Sequence, residues 1–346
     1  MKTFAVAAPA RRGECVKAKG TLLLTRHDVR SLLSLDECIM AVEGAFRLYG
    51  EGKTSLPGIL GIHAREGGFH IKAGLLELGR NYFAAKVNAN FPGNGTRLGL
   101  PTIQGVIVLS DAENGRPLAV MDSIEITSLR TGAATAVAVK HLARKNSRVA
   151  TICGCGNQGR IQLRALVNVL RLEKAYAYDM LGERASRFAN ELSAALRIEI
   201  TAVTDLSHAV RQSDVCITCT PSRRYFLQRQ DVRPGTFIAA IGADNPEKQE
   251  LEPALMTDSK IVVDILEQCA TIGDLHHALQ AGLATIADVH AELGEVVAGK
   301  KLGRESADEI IVFDSTGMAL QDVAAAASVY EKAMREGCGI TLDFAA

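Results

Sequence analysis

The sequence predicts an α/β protein, with a doubly wound parallel sheet preceded by a smaller α+β unit. Apolar runs near Val149, Ala175, Ile198, Val215, Phe237 and Ile261 alternate with helical or looped stretches, as a parallel sheet requires. Before them, three strand-like runs follow one another without intervening helices: Phe69–Leu76, Tyr82–Asn90 and Gly105–Ser110. That succession predicts an antiparallel or mixed sheet. Between the two halves, Ile126–Leu142 is rich in alanine and threonine at helical spacing and leads straight into the first parallel strand.

In chain order, Leu22–Thr25 reads as a short strand and Leu35–Tyr49 as an amphipathic helix, with Ser34 and Asp36 near its start. Glycine- and proline-rich connections, including Phe91–Pro101 and the Glu113–Arg116 turn, separate the three strands. Phe313–Gly317 reads as a polar loop whose Asp314, Ser315 and Thr316 receive no role, and about Leu320–Glu336 as an alanine-rich helix. We therefore expect one domain over 21–128, a second over 129–317, and a final helix within 318–346 that returns to the first. Residues 1–20 are expected to be a disordered extension. Their apolar part precedes the arginine pair, the wrong order for a secretory signal, and an organelle transit peptide is the other reading.

The sharpest local feature is Val149–Gly159, an apolar run ending in Gly154-x-Gly156-x-x-Gly159. A helical stretch follows, then a second apolar run that ends on Asp179, 20 residues beyond Gly159. The first glycine permits a tight turn, the second lets backbone approach a pyrophosphate, and the third lets helix pack on sheet. A carboxylate at Asp179 can accept both ribose hydroxyls. Strand, glycine turn, helix, strand and acid in this order predict a Rossmann-type dinucleotide site, with Asn157 and Gln158 among the cofactor contacts. The acid favours NAD over NADP because it repels a 2′-phosphate, although Arg160 and Arg184 lie near enough in sequence to leave NADP possible.

Composition narrows the rest. With 39 basic against 39 acidic residues, no global field points to nucleic acid or an anionic membrane. No apolar run approaches the roughly 18 residues of a membrane span, and the absence of tryptophan argues against a base-stacking surface. Eight scattered cysteines suggest reduced thiols in a cytoplasmic protein. Cys216-x-x-Cys219 falls on a strand-like run, where residues three apart point to opposite faces, so no metal site is expected.

Several charged residues stand where chemistry could use them. The apolar residues of Phe69–Lys72 share one strand face, which puts His70 and Lys72 on the other. Lys86 sits in an otherwise apolar run, and an odd-length turn between the strands would set it opposite Lys72. Like charges so close need an anion between them or a lost proton. The alternative is a pair of solvated lysines on an exposed sheet face. Arg130, at or near a helix start, suits either a carboxylate ligand or an interdomain salt bridge. Asp244 lies just past an apolar strand, where it could exchange a proton beside a nicotinamide or simply form an Asx-turn before Pro246. Thr220 and Ser222 lie at the same sheet edge and could line the cofactor.

Together the residues Lys86–Asn88, Leu129–Ala134, Gly154–Gly159, Gly242–Leu251 and Phe313–Gly317 make the chain resemble the ornithine cyclodeaminase/mu-crystallin family from about residue 20 onward. The resemblance implies a two-domain homodimer acting on a small amino or imino acid. It implies that Lys86 and Arg130, with Lys72 nearby, hold the substrate carboxylate. Asp244 would be the acid/base, and the glycine turn with Asp179 would bind the dinucleotide. It also implies departures: the family's cyclodeaminases carry an arginine in the segment matching Lys53–Gly61, which has none here, and a glutamate at the position of Lys72. A lysine there would repel a distal ammonium by about 1 kcal/mol or more. The expected activity is thus NAD(P)-dependent amino-acid dehydrogenation or imino-acid reduction. Ornithine cyclodeamination and crystallin-like ligand binding without turnover are the alternatives.

Overall fold

Two sheets organise residues 20–344, the part of the chain that the computed structural model describes. The expected extension at 1–20 falls outside them except for Gly20, as does Cys15; the seven described cysteines are free thiols. Among the described residues the first sheet has seven strands, in the order Ile340–Leu342, Thr21–Leu24, Pro117–Asp122, Ile103–Asp111, Asn81–Asn90, Gly67–Glu77 and Gly58–Ala64. Thr21–Leu24 runs parallel to Pro117–Asp122 and every other pairing is antiparallel, so this is the mixed sheet expected.

The second sheet has eight strands, all parallel: Val289–Glu292, Lys260–Val263, Ile311–Asp314, Phe237–Ala240, Val215–Thr218, Val149–Cys153, Lys174–Tyr178 and Glu199–Ala202. The chain winds outward from Val149–Cys153 through two strands on one side, then returns to Val215–Thr218 on the other. Strand order therefore reverses between those two neighbours, where doubly wound sheets open a ligand crevice beyond the strands' carboxyl ends.

Helices tie the two sheets together. Leu35–Gly50 starts from a capping box in which Ser34 and Glu37, rather than Asp36, exchange hydrogen bonds. The last helix, Ala319–Glu336, packs on Leu35–Gly50 and on the strands Gly67–Glu77 and Asn81–Asn90, burying Leu320 and Val323 in the main core.

Some elements differ from expectation. A helix at Arg26–Leu32 precedes Leu35–Gly50. The edge strand Gly58–Ala64 escapes sequence reading because all seven residues are exposed and its two glycines break any alternation. Phe313 and Asp314 belong to the buried strand Ile311–Asp314, and the polar loop begins only at Ser315. The helix expected from Ile126 begins at Ser123, capped by the Asp122 side chain. Arg130 therefore lies two turns inside it, and the expectation that it stands at or near a helix start is corrected.

The hairpin Gly67–Glu77/Asn81–Asn90 turns through three residues, with Gly79 at φ +76°, and sets Lys72 directly opposite Lys86. The face of this sheet is inverted from ordinary patterning. Both lysines point inward and are buried (8% and 3% exposed), while Leu60, Ile62, Phe69, Leu75, Phe83, Val87 and Val106 crowd the outward face, each 36–54% exposed. The solvated-lysine alternative is thereby excluded.

Candidate active site

The glycine turn has the geometry of a phosphate cradle. Gly154 adopts φ +102°, a conformation that side chains resist, directly after Val149–Cys153. A Cβ on Gly159 would fall 2.1 Å from the Gly154 carbonyl oxygen, so only glycine allows the helix Asn157–Val169 to start this close to the strand. No side chain caps that helix, which leaves the N–H groups of its first turn, at Asn157 and Gln158, to an anion. Space above Gly156 is open, since a Cβ there would meet nothing within 4 Å. Asp179 follows the neighbouring strand. Its Oδ2 accepts from Cys155 N (3.0 Å) and its Oδ1 from Leu181 N (3.0 Å), which orients the carboxylate beside the turn. These residues fit a dinucleotide.

Next to the cradle lies a cavity of about 260 Å³ between the two sheets. Lys72, Lys86, Arg130, Gln158, Thr220 and Asp244 all line it, so the structure gathers these residues from six separate chain segments. Ser222 is not among the lining residues. Its hydroxyl donates to the Arg224 carbonyl (2.6 Å) within its own turn. Cys219 does line the cavity, with its Sγ donating to the carbonyls of Cys153 and Gly154.

Charge at the cavity floor is unbalanced. Lys86 Nζ donates to both oxygens of Asp322 (2.8 and 2.7 Å), and Arg130 Nε lies 3.3 Å from Asp322 Oδ1. Arg130 also donates to Gln321 Oε1 (3.0 Å). Lys72 Nζ donates to the carbonyls of Thr316 (2.8 Å) and Gly317 (2.6 Å). Those carbonyls are presented by a knot around the buried Asp264, whose Oδ2 accepts from Ser315 Oγ (2.9 Å) and Gly317 N (2.6 Å). Lys86 and Arg130 thus share one carboxylate, Asp322, while Lys72 is held on two carbonyls. Burial, with Arg130 and Lys72 nearby, pushes Lys86 down to about 7 against the pull of Asp322. Burial and Arg130 lower Lys72 as well. Burial acts to raise Asp322, yet Lys86 and Arg130 outweigh it and hold the carboxyl below its usual range.

Asp322 is the partner that sequence reasoning missed. The available signal was local: Gln321 and Asp322 are the two polar residues in the otherwise apolar run Met318–Ala327. Protonating Lys86 costs the native state but not the unfolded chain, whose lysine titrates near 10.5. The unfolded state therefore binds more protons between about 7 and 10.5, and stability should rise with pH across that window. Urea midpoints at pH 7 and pH 9 should show that rise, and Lys86→Met should flatten it. An equal slope in the variant would remove Lys86 as its source.

Opposite this floor, Asp244 keeps 48% of its side chain accessible and pairs with Lys248 Nζ (2.6 Å). Desolvation acts to raise its pKa, but Lys248, Lys72 and His70 together lower it, so it stands as a carboxylate. His70 shares the cavity wall, and its own pKa is lowered by burial. The arrangement combines an excess of positive charge with a proton acceptor, beside a dinucleotide cradle.

Known proteins carry the same arrangement of elements. A model of the ornithine cyclodeaminase/mu-crystallin family matches residues 19–337. An archaeal alanine dehydrogenase dimer with bound NAD is 43% identical, with a TM-score of 0.90 over 94% of this chain and 99% of that one. The Δ1-pyrroline-2-carboxylate reductase of Thermococcus litoralis, in complex with NADH and L-proline, is 38% identical. Its TM-score is 0.88 over 93% of this chain and 100% of that one. The iminosuccinate reductase of Paracoccus denitrificans, in complex with NAD+, is 33% identical, with a TM-score of 0.85 over 92% and 98%.

Proposed function

Because the chain belongs to the ornithine cyclodeaminase/mu-crystallin family, we propose that it is an NAD-dependent amino-acid dehydrogenase that also runs in reverse as an imino-acid reductase. One observation carries the reading: Lys72, Lys86 and Arg130 converge with Asp244 on a single cavity beside the glycine turn. An excess of buried cations calls for an anionic ligand, and the α-carboxylate of an amino acid supplies it.

Lys86 and Arg130 hold that carboxylate, and Lys72 lends its charge from beneath. Asp244 takes one proton from the substrate ammonium. The α-hydrogen then leaves with its electron pair as the C=N bond forms, and an iminium remains. Bound nicotinamide supplies the hydride acceptor, or the donor in the reductive direction. The turn Gly154–Gly159 would hold the pyrophosphate, Thr220 and Gln158 would face the nicotinamide half from the cavity wall, and Asp179 favours NAD by accepting from the adenosine ribose hydroxyls. The protein's work is alignment and charge complementarity, with no covalent link to substrate.

The side chain of the substrate is small and is neutral or anionic, because Lys72, Lys248 and His70 surround its space. Lys72 is also locked on two carbonyls, so Lys72→Glu would set a carboxylate against them and should not by itself install an amine-binding site. NADH oxidation with pyruvate plus ammonia, oxaloacetate plus ammonia, and cyclic imino acids tests the function. Turnover with none of them would end it, and ammonia release from ornithine without NADH accumulation would favour cyclodeamination.

The outward apolar face of the first sheet supports a homodimer, since solvent exposure of so many large side chains on one face is unfavourable in a monomer. The double variant Leu60→Glu/Val106→Glu should sediment at half the parent's mass. An unchanged mass would place the interface elsewhere.

A further inference from the structure

Glu250 has no exposed surface and no part in the chemistry described so far. Its Oε1 accepts from Thr220 N (2.6 Å) and Thr220 Oγ1 (2.7 Å), and its Oε2 accepts from Gly242 N (2.8 Å). Thr220 follows the strand Val215–Thr218 and Gly242 follows its parallel neighbour Phe237–Ala240, and both line the cavity. One carboxylate therefore bridges the ends of two strands at the crevice.

The bridge is itself anchored. Asp274, also buried, accepts from Glu250 N (2.8 Å) and Leu251 N (2.9 Å) through Oδ1. A Cβ on Gly242 would come within 2.4 Å of the Glu250 carboxyl carbon, so the contact requires glycine. Gly242 and Glu250 also bracket the loop that carries Asp244 and Lys248, and one side chain pins both ends of that loop. Burial, with Asp274 beside it, pushes Glu250 up to about 7, and an apolar residue here would leave the N–H groups of Thr220 and Gly242 without an acceptor. What the carboxylate adds is a fixed distance between two backbone segments.

We propose that Glu250 is a positioning residue, a clasp that holds Thr220 toward the cofactor and the Asp244 loop toward the substrate in one register. The inference rests on the NAD-dependent reading above and deepens it. Displacing reacting groups by about 1 Å can cost on the order of 100-fold in rate, which is the scale at which such a clasp matters.

The test uses the full-length protein and the variants Glu250→Gln, Thr220→Val, Thr220→Ser and Glu250→Gln/Thr220→Val. NADH binding is read by fluorescence titration, and kcat and KM for the amino acid are read at saturating NAD. Glu250→Gln should weaken NADH about tenfold and also lower kcat/KM for the amino acid about tenfold, because both strand ends lose register. Thr220→Val should weaken NADH about tenfold, and Thr220→Ser, which keeps the hydroxyl that donates to Glu250, should restore NADH binding. The double variant should bind NADH no worse than Glu250→Gln, since both changes break the same bridge.

Losses that add in the double variant, or parent-like binding and turnover in Glu250→Gln, would overturn the clasp while leaving the function intact. If Glu250→Gln does not fold, parent-like NADH affinity in Thr220→Val overturns it instead. A parent protein that binds no NADH would overturn the functional reading, and the clasp with it.

Discussion

Asp244→Asn should lower kcat by about 10²–10⁴-fold while NADH affinity stays within about threefold of the parent. The substitution keeps the shape and an oxygen that can accept from Lys248, now 2.6 Å away, but removes the capacity to take a proton. Stability should change little, because a half-exposed ion pair contributes about 0–1 kcal/mol. Steady-state kinetics alongside fluorescence titration with NADH separates the outcomes. A protein that binds its ligands without turning them over would be indifferent to the change, as crystallin-like binding requires. A variant that turns over at the parent rate would remove Asp244 from the proton-transfer role.

Asp322→Asn should be the most damaging single change to the fold, at about 3–5 kcal/mol, because it strands Lys86 and Arg130 in a buried site with no countercharge. Urea denaturation measures the loss. The triple variant Lys86→Met/Arg130→Met/Asp322→Leu should regain most of that stability, since an apolar cluster of similar size can replace a buried ion triad. It should nevertheless bind no amino acid. High concentrations of a small carboxylate should partly rescue Asp322→Asn by supplying the missing anion. If the single variant melts like the parent, Lys86 and Arg130 are not balanced by Asp322 as the distances imply.

The same cluster governs how binding responds to pH. Lys86 must be protonated to attract a carboxylate, so affinity for the amino acid should fall as pH rises through about 7. Fold stability should move the opposite way over the same range. The two opposed trends identify one titrating group from two sides.

Much of this was legible in the residues themselves. The dinucleotide cradle can be read because its requirements are local: a positive φ at Gly154, a close approach at Gly159, and an acid one strand further on. The pairing of Lys72 with Lys86 can be read once the hairpin turn is known to hold three residues. Arg130 stands out in the sequence for its charge, but its place two turns inside the helix is not legible there. The cap that sets the helix start, Asp122, lies four residues before the Ile126 at which the apolar pattern begins. Ser222 looked equivalent to Thr220 because both are hydroxyl residues at one strand end, and only the path of the turn sends its hydroxyl to Arg224 instead.

On its own, the amino-acid order determined the alternation of strand and helix, the glycine turn with its following acid, and the charged residues that chemistry would need. Those features depend on neighbours a few positions apart. Only the tertiary structure decided which face of the first sheet turns inward, because a period of two distinguishes faces without saying which one meets the core. It also chose Asp322 as the countercharge to Lys86 across 236 positions, and Glu250 as the bridge between two strand ends. Such partners are selected by packing, where a buried charge must find whatever opposite group the fold delivers within hydrogen-bond reach.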